Sequence, residues 1–280
     1  MTRTPLRATL TVLTLVLCGC AQHPSGAASS PTSSPQALPD GLVLRVAYTG
    51  GFVSPMTTAT RLPLASLYSD GRLVTQGPVP ASYPPPALPN LQVTQLDPDR
   101  VRALADRARD AGVAETGDLD SHSVADAPAT RFTLATGDGS VVREVYALAA
   151  EFDPGLSSEQ RADRAALRGL VDDLTAPAAD SSASYTPTAL AVVASPFDPT
   201  VGDPSLPQPD VAWPGPALPG DSLGSALSCL TVTGADLDPV LEAAAATSTL
   251  TPWVVADGSR WSLTFRPLLP DETGCADLTA

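Results

Sequence analysis

The chain predicts an α+β fold of two small domains, each an antiparallel sheet with one or two packed helices. Three observations carry that expectation. Asp-Gly pairs at 70–71, 138–139 and 257–258 each lie between apolar, β-rich runs, the pattern of a tight hairpin turn. Two stretches, 97–112 and 158–174, repeat apolar residues with helical periodicity. Between the two sets of elements, APAADSSASYTP at 176–187 reads as a boundary.

The elements follow in order. Residues 1–19 read as a lipoprotein signal peptide: Arg3 and Arg7 precede a run from Ala8 to Leu17 that is too short to span a bilayer, and the tetrad Leu17-Cys18-Gly19-Cys20 ends it. Gly19 fits the small subsite before the cleaved bond, and the Cys20 thiol is the acyl acceptor. Residues 20–40 are rich in Ser, Pro and Ala and predict a lipidated, disordered tether with an end-to-end distance of roughly 25 Å. His23 lies within it and is given no role.

The N-terminal domain, 41–180, begins with the strand LVLRVAYTG and the hairpin LASLYSDGRLVTQG. The prolines of VPASYPPPALPN exclude a central strand and predict a rigid, extended connector. After the strand LQVTQ comes a helix with Asp97 as N-cap, Pro98 in its first turn and Gly112 as its stop; Val101, Leu104, Ala105 and Ala108 form its buried stripe. Arg100, Arg102, Asp106, Arg107 and Arg109 fall on the opposite, solvated face. A second hairpin turns at Asp138-Gly139, and a helix over 158–174 buries Leu167, Leu170, Val171 and Leu174.

The C-terminal domain, 181–280, reads as strands TALAVVA and LSCLTVTG, a helix LDPVLEAAAA capped by Asp238, and a hairpin at Asp257-Gly258. LQVTQLDPDRVRAL and LTVTGADLDPVLEA share a strand, an Asp-Pro helix start and a following hairpin. The two halves are therefore candidates for a duplication, which unlike strand orders would count against.

Composition narrows the chemistry. The chain has no lysine, which removes Schiff-base catalysis and phosphate-gripping P-loops. Without Arg3 and Arg7 the balance of 14 arginines against 30 acids is −16, which repels polyphosphates and speaks against nucleic acid as a partner. Of four cysteines, Cys18 leaves with the signal and Cys20 is acylated, so Cys229 and Cys275 are expected to form one disulfide, contributing roughly 4 kcal/mol in the chain-entropy model.

His122, in DSHSVADAP, is the one histidine beyond the tether and would anchor any Ser-His-Asp hydrolase, but no G-x-S-x-G elbow accompanies it. No metal site and no cofactor is expected, since one histidine and a paired disulfide leave carboxylates alone as ligands. Trp213, Trp253 and Trp261 fall at strand-like positions and read as core. In the tail RPLLPDETGC, Arg266 is expected to pair with an acidic neighbour, Asp271 or Glu272.

The strings TRLPLASLYSDGRLV, PALPNLQVTQLDPDRVRALADRARDAG, VADAPATRFTLATGDG and RPLLPDETGC together resemble a family of secreted proteins and lipoproteins from actinobacteria, one without an established activity. The resemblance implies export, a two-part layout and the Cys229 to Cys275 bridge, and it supplies no catalytic residue.

The functional expectation is a lipid-anchored protein on the extracytoplasmic face of the cell membrane. It acts as a non-enzymatic binding or scaffold module of the cell envelope, and its partner is an envelope protein, a peptide or a small ligand. The alternative is an extracytoplasmic hydrolase working through carboxylates or the His122 loop, which requires two acids converging in a deep cleft. A further possibility is a module that adds a strand to a partner through an uncovered sheet edge.

Overall fold

Hairpins turn at Asp70-Gly71, at Asp257-Gly258 and, one residue before the expected pair, at Gly137-Asp138 in the computed structural model, which describes residues 38–150, 154–176, 182–203 and 205–278. The expected signal peptide, Cys18, Cys20, His23 and nearly all of the expected tether lie outside the described residues.

The first sheet takes β1 (Leu42–Gly50), β2 (Ala65–Tyr68), β3 (Arg72–Gln76), β4 (Leu91–Gln95), β5 (Pro128–Thr136), β6 (Gly139–Tyr146) and β7 (Ser182–Ser184). Its order is β6-β5-β1-β2-β3-β4-β7, with every neighbour antiparallel. The second sheet takes β8 (Ala189–Pro196), β9 (Val211–Ala212), β10 (Asp221–Gly224), β11 (Leu227–Thr233), β12 (Pro252–Val254) and β13 (Arg260–Pro267), in the order β10-β11-β8-β13-β12-β9. There only β9 and β12 run parallel. The fold class is α+β, with few helices and no closed barrel.

Helices α1 (Pro55–Thr60), α2 (Pro98–Asp110), α3 (Ser158–Thr175) and α4 (Leu237–Ala245) complete the fold. Asp97 caps α2, accepting from the Arg100 N–H at 2.8 Å, and Gly112 leaves it in the left-handed region at φ +84°. The buried stripe is Val101, Leu104, Ala105 and Ala108. A reciprocal capping box between Ser157 and Gln160 starts α3.

The start of α4 differs from the expectation. A 3₁₀ turn over Gly234–Asp236 runs straight into it and no side chain caps it, so Asp238 sits in the first turn. There its charge complements the helix dipole rather than a free N–H.

α2 and α3 cover one face of the first sheet, where Val46, Leu67, Phe132, Leu134, Leu167 and Leu170 form the largest core. α4 covers the second sheet over an aromatic cluster in which Trp253 meets Trp213 at 5.7 Å and Phe265 at 5.5 Å. The uncovered faces are occupied from within the chain. Met56 of α1 packs on Ala189, Ala191 and Val193 of the second sheet, and Leu269, just past β13, packs on Tyr68, Val74 and Leu91 of the first. The proline-rich segment also crosses between the halves: Pro86 bridges Ser248, and the Ala87 N–H donates to the Thr247 carbonyl. The described residues thus make one compact unit.

Cys229 of β11 is disulfide-bonded to Cys275, with 5.9 Å between Cα atoms. The strand orders speak against duplication. The hairpin after α2 lies three strands away from β4, with its first strand innermost, whereas the hairpin after α4 lies one strand away from β11, with its second strand innermost.

Candidate functional site

A groove of about 840 Å³ opens on the helix-covered face of the first sheet, where β3, β4 and β7 extend past the two helices. The alternation of β3 and β4 builds its floor. Leu73 and Thr75 lie opposite Thr94 and Gln92, and Ser182 of β7 faces Thr94 from the other side. Leu96, Arg100 and Leu104, at the start of α2, form one wall. Asp173, Leu174, Thr175 and Ala176, at the end of α3, form the other. At the rim Gly77 donates to the Asn90 carbonyl at 2.7 Å, Asn90 Nδ2 to the Pro78 carbonyl at 2.9 Å, and Gln92 Nε2 to Asn90 Oδ1 at 2.5 Å. A Cβ on Gly77 would stand 2.6 Å from Asn90 Nδ2, so glycine lets these amides close over the turn.

The floor therefore offers hydroxyl and amide groups between apolar patches. Of the two charged residues that line the groove among the described residues, Asp173 is paired with Arg107 at 3.3 Å. Arg100 meets no carboxylate among the described residues. Such a lining suits a polar ligand that is neutral or carries one negative charge, and the volume falls in the range of small-molecule sites.

A second polar cluster ties the sheets together. Arg266 holds Glu272 through two bonds of 2.5 and 2.8 Å, and Glu272 also accepts the Leu269 N–H at 2.8 Å. Beside them Asp271 accepts from Arg45 at 2.7 Å and from the Tyr68 hydroxyl at 2.8 Å, while Arg45 Nε reaches Ser66 Oγ at 3.0 Å. Burial pushes the Tyr68 phenol far above its ordinary range, with the Asp271 charge adding to the rise against the opposing pull of Arg45. Burial by itself lowers the Arg45 pKa, but the negative charge of Asp271, with Tyr68 and Glu272, outweighs it and holds the guanidinium above its ordinary value. Every charge here is matched across the joint between β1, β2 and the tail. The cluster is a clamp, and Arg266 does pair with an acidic neighbour in the tail.

His122 lies in an exposed loop, its ring 6.4 Å from that of Tyr146. The nearby Asp120 carboxylate accepts the Tyr146 backbone N–H at 2.7 Å, and Ser121 Oγ stands 3.2 Å from Ser123 Oγ. Among the described residues no carboxylate orients the imidazole, and no group of three or more His, Cys, Asp or Glu is placed to hold a metal ion. Trp253 is fully buried and Trp213 and Trp261 pack against the same core.

Sequence reasoning passed over Thr75, Gln92 and Thr94. The alternation in RLVTQ and LQVTQ marks them as one face of a strand pair, but only the lengths and placement of α2 and α3 leave that face uncovered. On the solvated face of α2, Arg109 pairs with Asp106 at 2.6 Å, Arg102 with Asp99, and Arg107 with Asp173 of α3. No helix of the described residues is long and apolar enough to cross a membrane. No protein-family model, curated protein or solved structure matches this chain.

Proposed function

We propose that the protein is a lipid-anchored, non-enzymatic binding module of the cell envelope. In this reading it is fastened through Cys20 to the extracytoplasmic face of the membrane, after removal of residues 1–19, by a tether over 20–40. It carries a body of two parts, 41–180 and 181–280, with β7 of the second part completing the sheet of the first. The groove between α2, α3 and the β3-β4-β7 floor takes a neutral or singly acidic polar ligand of peptide or oligosaccharide size. The observation that carries the reading is the groove's lining among the described residues: hydrogen-bonding groups on an apolar floor, one guanidinium that meets no carboxylate, and a single carboxylate already held by Arg107. That inventory favours recognition over acid–base chemistry, which needs a second carboxylate or an oriented base facing the same space. The Leu17-Cys18-Gly19-Cys20 tetrad and the resemblance to exported actinobacterial proteins support the location.

The test is an amide-shift titration of the full chain with short neutral and singly acidic peptides and oligosaccharides. The expected result is perturbation centred on Thr75, Gln92, Thr94 and Arg100, lost in Gln92→Trp, which fills the groove. Perturbation centred elsewhere, or unchanged in Gln92→Trp, contradicts the assignment.

A further inference from the structure

β6 is an edge strand of the first sheet, paired on one side with β5. In an antiparallel ladder alternate residues point their N–H and C=O toward the partner and away from it. The Ala147 N–H donates inward to the Pro128 carbonyl at 3.0 Å, whereas the Tyr146 N–H goes outward to Asp120 Oδ1 at 2.7 Å and the Tyr146 carbonyl accepts outward from the Ser121 N–H at 3.3 Å. Counting back in steps of two, Glu144, Val142 and Ser140 also direct both backbone groups off the sheet, while Val145, Arg143 and Val141 bond to β5. Among the described residues nothing bonds the outward groups of Ser140, Val142 and Glu144. All three side chains are exposed, Val142 to 55%.

The chain has itself begun to pair this edge. Ser121 supplies a donor and Asp120 an acceptor at Tyr146, in the positions an added strand would use, and the segment then turns away, leaving the next three outward residues open. Arg143, buried at 7% exposure, donates to the carbonyls of Gly112 and Gly117 and so holds the flanking loop below the edge rather than across it. Acidic residues stand at both ends of the open stretch, Asp138 in the hairpin turn and Asp118 beside the segment that pairs with Tyr146. Glu144 is neutralised by Arg131 at 2.7 Å.

We infer that β6 is a strand-addition site for an extended peptide segment of a partner protein, one with an apolar side chain opposite Val142 and basic residues flanking it. Backbone pairing along Ser140, Val142 and Glu144 supplies the affinity, and the alternating side chains with the acidic ends supply the selectivity. In the sheet β6 lies five strand positions from β4, about 24 Å, so the site is separate from the groove and its occupancy is independent of groove ligand.

The experiment is residue-resolved amide hydrogen exchange on the full chain, alone and with the probe peptide Lys-Thr-Val-Thr-Val-Thr-Lys. In the free protein the Val142 and Glu144 amides are expected to exchange at least about a hundredfold faster than those of Val141, Arg143 and Val145. Saturating peptide is expected to slow Val142 and Glu144 by about tenfold or more and to leave the groove amides unmoved. Val142→Pro removes an outward donor and no ladder bond, so it abolishes the effect while Phe132 keeps its protection. Should V142P disturb Phe132, E144P makes the same test one step along the edge. Outward amides already as protected as the inward ones in the free chain, a peptide that protects nothing on β6, or equal protection of the remaining outward amides in both the variant and the wild type would overturn the proposal.

Discussion

At the scale of single residues, the strongest demands on this chain fall on the charges between the sheets. Arg266 and Glu272 are 5% and 7% exposed and hold each other through both ends of their planar groups. Removing one partner strands a buried charge, so Arg266→Ala is expected to lower stability by about 3–5 kcal/mol, read by urea unfolding, whereas an apolar replacement of both residues should recover most of it. Tyr68 makes a second prediction. Its folded pKa is raised above the unfolded value of 10.0, so the stability it contributes is complete below pH 10 and is lost as the pH climbs toward the folded value. Tyr68→Phe should flatten that alkaline loss and cost about 1 kcal/mol at neutral pH for the hydroxyl bond to Asp271, both visible in unfolding curves taken between pH 7 and 11. Asp277 works in the opposite sense. N–H bonds from Thr273 and Gly274 lower its pKa, so its help to the tail is present at neutral pH and disappears as the carboxylate is protonated in acid, and Asp277→Asn should remove that acid dependence.

At the scale of elements, local grammar accounts for most of what formed. Asp97, Pro98 and Gly112 specify α2 with no help from tertiary structure, and Asp97→Ala is expected to cost about 1 kcal/mol in thermal or urea unfolding, with Arg100 left without its N–H acceptor. The three hairpins marked by Asp-Gly pairs were readable because glycine takes positive φ without strain, as Gly71 does at +92° and Gly258 at +88°. The short elements were not readable. α1 has six residues and no buried side chain, and β9 has two residues, so neither carries enough periodicity to stand above its surroundings. Asp238 misled for a related reason: an Asp-Pro pair fits a helix start, but the preceding 3₁₀ turn moved that start upstream.

At the scale of the whole molecule, the sequence carried the two sheets and the Cys229 to Cys275 bridge, while the joint between the halves and the groove were hidden. Arg45 meets Asp271 across 226 positions, and no short-range pattern announces such a pair. The groove lies between the start of α2 and the end of α3 over β3, β4 and β7, a matter of element placement rather than of any motif. A body tied together by the clamp, with a neutral groove near one edge of its first sheet and an open strand at the other, is suited to gripping partners, and in the proposed reading the N-terminal tetrad fixes it to the membrane. The most direct measurement is intact mass of the protein recovered from membranes of a lipoprotein-processing bacterium, compared with Cys20→Ala. The account predicts a chain beginning at diacylated Cys20 in the membrane fraction and loss of both lipid and membrane fraction in the variant. A full-length, unacylated chain that fractionates alike with and without the Cys20 thiol contradicts it.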